Sequence, residues 1–135
     1  MVGRALEKGE FNNSIALLHG PGGRLYVSDF NNHRVEIFGS EGNYLLEFGS
    51  KEEAQGQFSN PVGLALDSRG RLFVADRGTH RVNILTADGI PVSFFGKPGR
   101  QPLEFNQPEG LAIGSEDFLY VVEKGNHRIQ ILKIS

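Results

Sequence analysis

The 135-residue chain contains no cysteine, no tryptophan and a single methionine. Without thiols it can form no disulfide, no thiolate zinc site and no cysteine nucleophile. An excess of either charge is missing too: 14 basic and 16 acidic side chains give a formal charge of -2, so no global field draws the chain toward nucleic acid or anionic lipid. No apolar run approaches the roughly 18 residues that a membrane span requires. The opening Met1-Val2-Gly3-Arg4-Ala5-Leu6-Glu7-Lys8 lacks the apolar core of a signal peptide. These absences point to a soluble, cytoplasmic protein with no membrane association.

What the chain has in quantity is repetition. Asn32-His33-Arg34 returns as Thr79-His80-Arg81 and again as Asn126-His127-Arg128, each time 47 residues later. In the same register Phe11, Phe58 and Phe105 align, as do Leu25, Leu72 and Leu119, then Val27, Val74 and Val121, then Asp29, Asp76 and Glu123, with no gap. Within the middle copy four β-rich segments follow one another at 62–66, 71–75, 81–85 and 91–95. Asp67-Ser68-Arg69-Gly70, Asp76-Arg77-Gly78-Thr79 and Thr86-Ala87-Asp88-Gly89 separate them, supplying the Asp and Gly residues that tight hairpin turns need. A four-stranded antiparallel meander repeated at this spacing predicts an all-β chain of propeller blades, with strands a to d running outward from the axis. The nearly continuous apolarity of Val62-Gly63-Leu64-Ala65-Leu66 suits an inner strand packed on both faces.

The string Pro61-x-Gly63-Leu64-Ala65-Leu66-Asp67, then Gly70-Arg71-Leu72-Phe73-Val74-Ala75-Asp76, then His80-Arg81-Val82-x-Ile84-Leu85, resembles the NHL repeat. The blade endings Phe48-Gly49 and Phe95-Gly96 fit the same pattern. WD40 is disfavoured by the lack of tryptophan, and kelch by the lack of its paired glycines and aromatics. The resemblance implies an N-terminal segment over 1–10 that holds the end of a d strand, and repeats over 11–57, 58–104 and 105–135, the third lacking strand d. Departures are local: Ser14 replaces Pro61 and Pro108, His19 replaces Leu66 and Ile113, and Asp117 and Glu123 replace turn Gly and Asp.

The repeated polar residues Asp29, His33, Arg34, Asp76, His80, Arg81, Glu123, His127 and Arg128 read as structural. The histidines begin strand c, two strands from the axis, and at about 4.8 Å per strand each lies about 10 Å outside its inner strand. They cannot converge on one ion. The expected arrangement faces each acid toward its histidine across the b-c hairpin, with the following arginine joining. Candidates to line a central channel are Asn13, Asn60, Gln107 and Glu109, with His19 at the opposite end of its strand. Ser14, Ser59 and Ser115 have no partnered histidine or aspartate, and Gly22-Gly23 reads as a turn and not a phosphate loop. No catalytic residue, metal or cofactor is expected.

By the resemblance, the b-c loops and d-a connections share the top face on which NHL propellers recognise their partners. Here it would carry Phe30, Asn31, Asn32, Arg77, Thr79, Lys97, Arg100, Lys124 and Asn126, together with the linkers 50–57 and 97–104. Residues 11–57 hold three basic and six acidic side chains, and residues 58–104 six and four. Arg77, Lys97 and Arg100 would form a local basic spot beside an exposed Phe30. The resulting expectation is a non-catalytic scaffold for protein or peptide partners. The alternatives are an RNA-binding module using the basic spot, since some NHL domains read RNA, or a metal-dependent channel enzyme resembling six-bladed lactonases and lyases. Three blades cannot close a ring that usually takes four to eight. A head-to-tail homodimer would give six, making this chain half of the ring, and the rival is a fragment of a longer propeller chain.

Overall fold

The computed structural model describes residues 11–49 and 58–134; the expected d-strand ending in 1–10 and the linker 50–57 lie outside the described residues. Three antiparallel meanders follow one another. Blade 1 holds β1 (Ser14–His19), β2 (Leu25–Asp29), β3 (Arg34–Phe38) and β4 (Tyr44–Phe48). Blade 2 holds β5 (Pro61–Leu66), β6 (Leu72–Asp76), β7 (Arg81–Leu85) and β8 (Pro91–Phe95). Blade 3 holds β9 (Pro108–Ile113), β10 (Phe118–Glu123) and β11 (Arg128–Lys133). The inner strands start at 14, 61 and 108, so the 47-residue period of the sequence is also the period of the fold.

Strand alternation explains how each blade grips two neighbours. In β6, Leu72 and Val74 point into the core shared with blade 1, among Tyr26, Val35, Ile37 and Phe58. Phe73, one residue out of step, packs with Leu119 and Val121 of blade 3. A strand apolar on both faces therefore reads as a continuous run, Leu72-Phe73-Val74-Ala75, and every one of these residues is buried.

Turn chemistry holds the meanders together. Gly23 and Gly70 take left-handed φ of 76° and 77° in their a-b turns, and Asp117 takes the same conformation at 57° in the third copy. Aspartate tolerates this region because its short side chain bonds locally. The Gly22-Gly23 pair lies in the turn around Pro21–Gly23, with β2 following directly.

Inner strands approach most closely at Gly63. A methyl group there would lie 2.1 Å from the Glu109 carbonyl oxygen and 2.8 Å from the Leu111 nitrogen of blade 3. Because the obstruction is backbone, relief requires the blades to part. Gly63→Ala is expected to destabilise the chain by about 3 kcal/mol, read as a lower midpoint in urea unfolding at unchanged slope.

Candidate binding face at the end of the inner strands

The site is built from one backbone device used three times. In each blade the residue after strand b donates its N–H to the carbonyl of the residue ahead of strand a. Phe30 bonds Asn13 at 3.3 Å, Arg77 bonds Asn60 at 3.0 Å and Lys124 bonds Gln107 at 3.0 Å. Phe30, Arg77 and Lys124 are thus equivalent positions of the repeat, held at one end of neighbouring inner strands.

A second device aims the inner strands. Each carries one extra residue against its partner, between Ser14 and Leu17, Pro61 and Leu64, and Pro108 and Leu111. Such a bulge turns the side chains beside it. In blades 2 and 3 these include Val62 and Glu109, which join Asn13, Phe30, Arg77 and Lys124 around a recess of about 190 Å³. All three blades contribute. Arg77 Nη1 lies 3.4 Å from Glu109 Oε2, and the same guanidinium sits 5.9 Å from the centre of the Phe30 ring. Lys124 is exposed and has no ion pair among the described residues.

Beneath this surface lie the repeated acids. Asp29 Oδ1 accepts the Asn12 N–H at 2.8 Å, while its Oδ2 accepts from Arg34 Nε at 3.1 Å and Asn32 Nδ2 at 3.0 Å. Asp76 accepts the N–H groups of Ser59 and Asn60, each at 2.8 Å, and of Gly78 at 3.1 Å. Glu123 accepts from the Asn106 N–H at 3.1 Å, Asn126 Nδ2 at 2.7 Å, Arg128 Nε at 2.6 Å and Gln130 Nε2 at 2.9 Å. These carboxylates are buried and fully engaged, so they fix loops and are not open to ligand.

The expected acid-histidine pairing is corrected. His33, His80 and His127 adopt left-handed φ of 59°, 58° and 52°, and the rings of His33 and His80 bond to the next blade and not to the acid of their own hairpin. His33 Nδ1 instead donates to the Ser59 carbonyl of blade 2, and His80 Nδ1 accepts the Gln107 N–H of blade 3 at 3.1 Å. His33 and His80 are pegs between blades. His127 is exposed.

Several expected loop residues are also employed within the fold. Arg100 Nη1 donates to Asn126 Oδ1 at 3.2 Å, and the buried Asn126 donates to the Gly99 carbonyl at 2.9 Å. Lys97 pairs with Glu104 at 3.7 Å. It lines a separate recess with Thr79, His80, Arg81 and Phe94, where Arg81 lies 4.2 Å from the Phe94 ring centre. Asn31 Nδ2 donates to Asn12 Oδ1 at 3.3 Å. Of the basic spot expected from the sequence, only Arg77 reaches the recess of the inner strands, and Phe30 is half-buried beside it. Of the channel candidates Asn13 and Glu109 line that recess, Asn60 and Gln107 hold loops, and His19 is exposed at the far end of β1. Among the described residues no three His, Asp or Glu side chains gather where they could hold an ion.

The NHL repeat model matches residues 16–38, 58–85 and 105–132, three consecutive copies in register with the three meanders. The chain belongs to the NHL-repeat family. No curated protein matches this NHL chain in sequence. Among solved structures it is similar to a streptogramin B lyase, with 17% identity, a TM-score of 0.73, and 93% of this chain and 39% of that one covered. A virginiamycin B lyase from Staphylococcus aureus shares 20% identity at a TM-score of 0.66, covering 96% and 43%. An auxiliary nutrient binding protein from Bacteroides thetaiotaomicron shares 20% at 0.67, covering 84% and 35%. At these identities the likeness shows the β-propeller fold alone. The chain spans less than half the length of each of these structures. No helix among the described residues is long and apolar enough to cross a membrane.

The third acid gives blade 3 a pH dependence. Burial pushes the Glu123 carboxyl up, but Arg128, Gln130, Asn126 and the Asn106 N–H outweigh it and hold the group below its ordinary range. A depressed folded-state value means the stabilisation is fully present above the unfolded value, about 4.3, and is lost as pH falls through the folded value. Urea unfolding followed from neutral to acid pH is expected to show this loss, and Glu123→Gln to reduce the acid-dependent part of it.

Proposed function

We propose that the chain is a non-catalytic recognition module that binds protein or peptide partners, and that an acidic side chain of the partner enters the recess at the end of the inner strands. The observation that carries this reading is the convergence there of Phe30, Arg77 and Lys124, one equivalent loop residue from each blade. Phe30 offers an apolar surface, Arg77 a planar cation poised over it, and Lys124 a cation with no ion-pair partner among the described residues. A carboxylate between the two cations would make charge-assisted hydrogen bonds. The recess's own carboxylate, Glu109, lies against Arg77 and competes with an incoming acid. It is engaged by a cation and has no histidine beside it in the recess, an arrangement that supports binding over proton transfer.

The neighbouring propellers include proteins named as lyases and one named as a nutrient binding protein, so the shared fold is compatible with either class of activity. An RNA ligand would need a run of cations along a strand path. Lys97 paired with Glu104 and Arg100 bonded to Asn126 do not extend such a path from Arg77.

Arrays of acidic, neutral and basic peptides, with labelled single-stranded RNA in parallel at physiological salt, test the reading. Acidic peptides are expected to be retained. Arg77→Ala and Lys124→Ala should each weaken retention about tenfold, or about 1.4 kcal/mol, and Glu109→Gln should strengthen it. Retention of RNA alone, or of peptides without regard to charge, would contradict the proposal.

A further inference from the structure

The two junctions inside the chain define what a blade needs on each side. On its leading side, toward the next blade, each blade presents an aromatic residue of strand b, two β-branched residues of strand c, a small residue of strand a and a histidine peg. In blade 2 these are Phe73, Val82, Ile84, Gly63 and His80, and blade 3 covers them. On its trailing side a leucine of strand a enters the core of the preceding blade. Leu64 does this at the first junction and is 6% exposed.

The same leading set recurs on blade 3 as Tyr120, Ile129, Ile131, Gly110 and His127, and here it is open. Ile129 and Ile131 are 61% and 62% exposed, whereas their counterparts Val82 and Ile84 are fully and partly buried. A methyl group on Gly63 would strike the neighbouring strand, but one on Gly110 would meet only Val122, at 3.4 Å. The close-approach glycine is in place without a strand against it among the described residues. Blade 1 shows the complement: Leu17, the counterpart of Leu64, is 68% exposed. Among the described residues, one copy of each half of the chain's own junction is therefore left unfilled.

We propose that the leading face of blade 3 docks on the trailing face of blade 1 of a second copy of this chain, head to tail, and that two such contacts close a ring of six blades. A heterologous contact repeated in two copies leaves no open face. The docked geometry follows from the register. Gly110 meets the backbone around Leu17, and His127 reaches the backbone at Asn12 and Asn13, as His33 and His80 do at Ser59 and Gln107. Tyr120 stands where Tyr26 does, and the Tyr26 hydroxyl donates to the Ala87 carbonyl of the next blade at 2.8 Å. Its acceptor in the second copy is the Ser40 carbonyl, which occupies the Ala87 position. Closure would bring two sets of Phe30, Arg77 and Lys124 to one axis. The inference is independent of which ligand they bind.

Light scattering coupled to size exclusion on the full chain tests this proposal. The expected mass is twice the 14.8 kDa of one chain. Gly110→Ala, which fits within a single chain, should weaken the dimer at least tenfold with unchanged β circular dichroism, whereas the exposed Val92→Glu on β8 should not. Leu17→Glu and Ile131→Glu should each be monomeric, and mixing them should restore a dimer, because one of the two contacts then joins intact faces. A folded wild-type monomer, an open-ended series of larger oligomers, a Gly110→Ala dimer of undiminished affinity, or no recovery on mixing would each overturn the proposal.

Discussion

The rest of the structure depends on a buried carboxylate at the end of each strand b. A charge withdrawn from water is tolerable only when its oxygens are saturated by donors. Asp29, Asp76 and Glu123 meet that demand by taking backbone N–H groups from the residues that lead into strand a of the same blade. That bond joins the start of the inner strand to the end of the second, and in blades 1 and 3 the strand-c arginine, Arg34 or Arg128, is bonded to the same acid. Where the acid is Glu123, Asn126 donates as Asn32 does to Asp29, and Gln130 is recruited as well. The donors change between blades while the loop position is kept.

This constraint separates scaffold from variable surface. The positions that close the hairpins and peg the blades are occupied by nearly the same residues in each copy. The positions displayed above them differ in chemistry: Phe30, Arg77 and Lys124 in the loops, and Val62 and Glu109 in the bulges of blades 2 and 3. A recess drawn from three copies can therefore combine an apolar ring, two cations and one acid without altering the blades beneath. Glu109 departs from the apolar residue that Val62 supplies at the same position of the inner strand, and its ion pair with Arg77 gives that departure a physical role.

Much of the fold was legible because a blade is local: its strands are consecutive and its turns are short. The expected segments 81–85 and 91–95 coincide with β7 and β8, and the other two strands of the middle copy differ by one residue at their ends. The site was less legible because it depends on rotation about single residues. Sequence order places His33 opposite Asp29, but a left-handed φ directs its ring to Ser59 in the next blade. Charge counts grouped Arg77 with Lys97 and Arg100, whereas local partners assign these cations to different places. The signal that could have found the recess was already in the register, since Phe30, Arg77 and Lys124 are 47 residues apart.

The central claim is that buried acids make the loops at the end of the inner strands part of the rigid blade. Native-state hydrogen exchange of the Asn12, Ser59, Asn60 and Asn106 amides measures this directly. If the carboxylates hold them, these amides exchange only through global unfolding, as slowly as those of β6. Exchange at the rate of an exposed loop, with β6 still protected, would contradict the account.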